Sequence, residues 1–113
     1  MKILCTELED LDLMDADMAE KYENAIDNMQ KKEKEKKLEG LSISEVIRTE
    51  CNIVFDFFNE IWGEGTDKKI FGNKVNYGQC EKAFMQVIDY TKAKTEEIKK
   101  RTIKYSSSRA NRR

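Results

Sequence analysis

Glu50 is the side chain in this sequence that comes nearest to chemistry. It stands in the run SEVIRTECNIVFDFFNEIW, in the middle of an arc of isoleucine, valine and phenylalanine. A carboxyl among apolar neighbours can hold a raised pKa and work as a general acid or base. It then needs a second group to receive or relay the proton, yet the 113 residues include no histidine and no second acid at a completing spacing. The favoured reading is a structural pair with a lysine, a tyrosine hydroxyl or an open backbone N–H.

Two further stretches invite chemistry. GEGTDKKIFG at 63–72 has the glycines of a phosphate loop, but such loops follow a strand, so that the next helix aims its amides at the phosphate. Here the glycines follow a helical pattern. Gly63 therefore reads as a helix C-cap, Thr66 as the cap of a short turn and Gly72 as its end. Cys5, Cys51 and Cys80 are widely spaced, and two of them fall on apolar helix faces, as reduced packing residues do. Without histidine, a phosphate loop following a strand or a clustered cysteine site, no enzyme activity and no cofactor are expected.

The elements that position these residues follow from hydrophobic period and caps. In KILCTELEDLDL at 2–13 the alternation breaks in the middle, as in a small hairpin turning near Thr6 to Asp10. From Asp15 or Asp17, either one an N-cap, Met18, Tyr22, Ala25, Ile26 and Met29 share one helical face, predicting a helix over 15–37. Its end, KKEKEKK at 31–37, has no apolar face and should project into solvent. Ser42 three residues before Glu45 forms a capping box, and Leu41 with Val46 a hydrophobic staple, ahead of a helix over 43–62. Ile43, Val46, Ile47, Val54, Phe57, Phe58 and Ile61 share its face. Cys51, Ile53, Phe55 and Trp62 widen that face to roughly 200°, enough for contact on more than one side.

Asn76 before Gln79, flanked by Val75 and Cys80, starts a last helix over 77–104 in the same manner. Its stripe begins with Tyr77, Cys80, Phe84, Val87 and Ile88, retains Ile98, and otherwise continues as Thr91, Thr95 and Thr102. The second half is thus a solvated extension or a surface for a partner. The expected fold is mainly α: three longer helices, a short helical turn and a small N-terminal β-hairpin. It forms one domain over 1–105, followed by a flexible basic tail at 106–113.

The net charge is −1, but the charge is divided. Residues 1–30 carry nine acids and two bases, and residues 92–113 carry nine bases and two acids. The ends attract each other, the opposite ends of neighbours in a homo-oligomer, or a charged partner. Nucleic acid would be met by Lys99, Lys100, Arg101, Lys104, Arg109, Arg112 and Arg113. Against that partner, the tail has no interleaved aromatic beyond Tyr105, and the acidic first third repels phosphate. No apolar run approaches the roughly 18 residues of a membrane span, and no segment has the form of a secretory signal.

DADMAEKYENA, FFNEIWGEGTDKKIFG and the terminal RANRR, in this order over nearly the whole chain, resemble a family of small siphophage and prophage proteins of Gram-positive bacteria. That family is placed beside the tail genes as tail assembly chaperones or minor tail proteins. The resemblance implies a non-enzymatic binder of the tape-measure protein, at work in the cytoplasm of the bacterial host, and it implies no catalytic residue. The candidate partner-binding residues are Phe55 and Trp62 on the wide helix, Thr95 and Thr102 on the last helix, and Arg109, Arg112 and Arg113 at the end. Deleting residues 106–113 should leave the melting temperature within about two degrees, since exposed termini hold few packed contacts, while weakening capture of the partner. If the deletion instead abolishes retention on heparin, the tail serves nucleic acid.

Overall fold

Side-chain caps set the starts of the long helices. In the computed structural model, which describes residues 1–110 and side chains as far as Thr102, Asp15 Oδ2 accepts the Met18 N–H at 3.0 Å and opens α1 (Ala16–Glu35). Ser42 Oγ accepts the Glu45 N–H at 3.3 Å and opens α2 (Ile43–Trp62). The capping box is half formed: the Glu45 carboxylate accepts the Ser42 hydroxyl at 3.0 Å instead of reaching back to a backbone N–H. Gly63 (φ 106°) ends α2.

Thr66 does not cap the next turn. It is the first residue of α3 (Thr66–Phe71), buried, with its hydroxyl donating to Gly63 O at 2.6 Å. Gly65 holds the cap position in the left-handed region, and Asn59 Oδ1 takes the Asp67 N–H at 2.9 Å. Gly72 (φ 63°) stops α3. Asn76 Oδ1 then accepts the Gln79 N–H at 3.0 Å and opens α4 (Tyr77–Ala110).

α4 runs six residues past its expected end near 104. The chain has no proline and no glycine after Gly78, so no residue type interrupts the helix. The tail expected at 106–113 therefore begins inside helical backbone. Its side chains, and residues 111–113 altogether, lie outside the described residues.

The hairpin turns earlier than the sequence pattern implied. β1 (Lys2–Ile3) pairs antiparallel with β2 (Thr6–Glu7), placing Leu4 and Cys5 in the turn. Leu4 takes φ 54°, a left-handed conformation unfavourable for an L side chain, and Gln86 Oε1 on α4 accepts its N–H at 2.8 Å. The turn is thus held by tertiary contact rather than by a turn residue. Trp62 Nε1 donates to Glu9 O at 2.9 Å and ties the segment after the hairpin to the end of α2.

α2 is the centre. α1 runs antiparallel along it, with Asn28 bonded to Glu60, Lys32 to Asp56 and Lys36 to Glu50. α3 folds back so that Phe71 meets Phe55 at 5.2 Å and Phe58 at 5.9 Å between ring centroids. This return lets α4 start beside the first half of α2, with Cys80 against Cys51 and Phe84 against Phe57. Phe57 meets Tyr22 of α1 at 6.3 Å, Phe58 at 5.5 Å and Phe84 of α4 at 5.1 Å, all edge to face. Ile3 and Leu11 complete the core from the N-terminal segment.

Three expectations change. Ile43 is 80% exposed although it shares the helical phase of the core face, because α2 overhangs its partners in its first turn. Thr91 is buried, not solvated: its hydroxyl donates to Ile88 O, leaving Tyr22 OH to donate to it at 3.0 Å. KKEKEKK does not simply project, since Lys32 and Lys36 bind carboxylates of α2.

Phe57→Ala should cost about 3–5 kcal/mol in urea melts, because it empties a buried volume on which three helices converge; a loss below about 1 kcal/mol would remove Phe57 from the core. In native protein a thiol-alkylating reagent should modify exposed Cys5 alone. Cys51 and Cys80 are buried, and burial, with the Cys51 thiol adding to it, pushes the Cys80 thiol up to about 12. Mass spectrometry should show their modification only after unfolding.

Candidate groove between helices α1 and α4

α1 and α4 both pack on α2 and contact each other far less than either contacts α2. They meet at the Tyr22–Thr91 hydrogen bond. Between the end of α1 and the start of α4 this leaves an open groove of about 930 Å³ with Val54 of α2 at its floor. Met29 of α1 and Phe84 and Met85 of α4 form its apolar walls. Beyond the Tyr22–Thr91 strut lies a second groove of about 370 Å³, where Leu13, Ala19, Tyr22 and Ile98 present an apolar lining, with Glu23 and Lys99 at its edge.

The helical period explains the walls. Met29 and Phe84 lie on the inward stripes, each half-buried. Tyr77, Glu81 and Met85 recur every four residues along the neighbouring ridge of α4 and stay exposed, with Tyr77 at 44% and Met85 at 46%. Methionine is unbranched and polarizable, so such walls adapt to irregular apolar surfaces.

Three of the charged groups at the mouth are paired with one another. The Lys36 ammonium binds the Glu33 and Glu50 carboxylates, which hold its pKa above the ordinary lysine range, Glu33 contributing most. Glu50 is therefore in the structural lysine pair that its sequence position favoured. Partial burial and the neighbouring Glu81 push the Tyr77 hydroxyl up as well, so it is a neutral hydrogen-bonding group at physiological pH. Among the described residues no group of three histidine, cysteine or carboxylate side chains is placed to hold a metal ion. What the groove offers is adaptable apolar surface with fixed charges at its edge.

The residues singled out from sequence are dispersed. Phe55 is half-buried against Phe71, and Trp62 is stacked on Phe58 at 5.6 Å with its N–H already donated to Glu9 O. Both rings are engaged within the chain. Thr95 is exposed and lines the second groove, its hydroxyl donating to Thr91 O at 2.7 Å. Thr102 is exposed on the projecting part of α4 and donates to Ile98 O. The side chain of Arg109, and Arg112 and Arg113 entirely, lie outside the described residues. The main groove was missed because Met29 and Phe84 read as ordinary core positions. The signal that could have found it is Met85, an apolar residue one ridge away from the core stripe.

A family model described as a family of unknown function (DUF6673) matches residues 5–113. No curated protein and no solved structure matches the chain. With the match running over nearly its whole length, the chain belongs to the family of unknown function DUF6673.

Proposed function

We propose that this chain is a non-enzymatic helix-binding chaperone of phage tail assembly, which covers an apolar stripe of the tape-measure protein in the bacterial host cytoplasm. The observation that carries the reading is the groove itself. Two helices flanking a third leave the position at which a fourth would complete a four-helix bundle, with axes about 8–10 Å apart. Its walls, half-buried Met29 and Phe84 and exposed Met85, are apolar, and buried Val54 closes its floor. A tape-measure protein is a long helical chain whose apolar stripes lie exposed until the tail tube surrounds them, and an amphipathic stripe docks in such a groove through anchors at i, i+3, i+4 and i+7. The partner is taken from the resemblance of FFNEIWGEGTDKKIFG and RANRR to tail-cluster proteins; the mode of binding is taken from the geometry.

A second reading rests on Lys99, Lys100 and Arg101, which stand exposed together on α4. They suit phosphate contacts, and affinity through them would fall steeply with salt. Capture of an apolar stripe would change little, because burial of apolar surface is not screened.

The test is co-purification of the chain with helical fragments of the tape-measure protein. Met85→Glu places a charge in the groove wall at an exposed position, so it should leave the melting temperature almost unchanged. Capture should fall about tenfold or more, equivalent to about 1.4 kcal/mol of binding. Unchanged capture by a folded Met85→Glu chain overturns the groove reading.

A further inference from the structure

We infer that the groove between α1 and α4 also takes the basic end of α4 from a second copy of this chain. From Ile98 to Arg113 the sequence carries seven bases and no acid. The root of this segment, Lys99 to Thr102, is exposed, and helical backbone continues to Ala110. At about 1.5 Å per residue, the twelve residues from Lys99 reach about 18 Å past the last turn that faces the core. The molecule accordingly measures 66 Å along one axis against 30 and 21 Å along the others.

The complementary charge borders the groove. Glu33, Glu50 and Glu81 line its main mouth and Glu23 the second groove. Asp27, exposed, lies between them on the same ridge of α1. Four lysines oppose these five carboxylates: Lys31, the next residue on that ridge, Lys34, Lys99 and Lys36, the last already bound to Glu33 and Glu50. A cationic helix lays the aliphatic stems of its lysines on the apolar floor and sets their ammonium groups among the carboxylates.

The occupant cannot be the chain's own tail. α4 begins at the main mouth, with Tyr77 and Glu81, and its basic end leaves the body at the opposite end of one continuous helix. One copy therefore offers its tail while its own groove stays open for the next. Such a heterologous contact builds a ring or an open chain of copies. The inference shares the groove of the preceding reading but not its partner, and the two can fail separately.

Sedimentation velocity of the full chain tests it at about 0.01 M salt, where charges act over about 30 Å, and at about 1 M, where they act over about 3 Å. The mass should at least double at low salt and return to the 13.3 kDa monomer at high salt. A chain lacking residues 99–113 should remain monomeric, and so should Asp27→Lys/Glu81→Lys, both shown to be folded by circular dichroism. Mixed in equal amounts, these two variants should form one-to-one pairs and nothing larger, since one retains a groove and the other a tail. A monomeric wild type at low salt, self-association of the tail-deleted chain, or a mixture that stays unpaired overturns the inference. Tape-measure capture by the tail-deleted chain then scores the preceding reading alone.

Discussion

The convergence of aromatic rings on Phe57 is the contact from which the rest of this structure is arranged. Tyr22, Phe58 and Phe84 bring α1, α2 and α4 edge to face around one ring. Because a buried aromatic cannot be left half-packed without losing several kcal/mol, the two outer helices are held against α2 at the height of this residue. Away from it they are free to diverge. The short return through α3, secured by Phe71 against Phe55 and Phe58, is what allows α4 to begin beside the first half of α2.

That arrangement makes the groove a consequence of the core rather than an addition to it. With α2 central, α1 and α4 are joined at the Tyr22–Thr91 hydrogen bond, and the groove lies between the end of α1 and the start of α4 with buried Val54 at its floor. The groove is bordered by charges, of which Lys36 is bound in place by Glu33 and Glu50. An ion pair at a half-exposed rim adds little net stability. Its effect is on which segments the groove admits: a helix with cationic flanks meets carboxylates there, and an acidic helix meets repulsion.

Length without burial gives α4 its second role. Its first half is a core helix, with Cys80, Ala83, Val87 and Thr91 turned inward. Among the described residues none between Lys92 and Thr102 is buried, yet no proline or glycine interrupts the helix. Helical backbone therefore continues to Ala110, and Lys99, Lys100 and Arg101 stand exposed on it beyond the last buried turn.

Much of the fold was legible in the residues themselves. Capping side chains at Asp15, Ser42 and Asn76 and glycines at 63 and 72 mark helix ends through local hydrogen bonds and backbone freedom, which depend only on near neighbours. Periodicity likewise identified the face of α2 and the place of Glu50 on it, while the choice of Lys36 among a lysine, a tyrosine hydroxyl and a backbone N–H came from the packing. Tertiary contact decided the rest. The hairpin turns at Leu4 because Gln86, 82 residues away, accepts its N–H. Ile43 is exposed despite its phase, while Val46 in the same turn is half-buried. The groove is invisible in any one segment, since it is the space between two helices that share a partner and touch each other at the Tyr22–Thr91 hydrogen bond. The sequence by itself determined which helices form and which faces are apolar; only packing decided which of those faces remain uncovered, because coverage depends on the order in which distant elements are placed around α2.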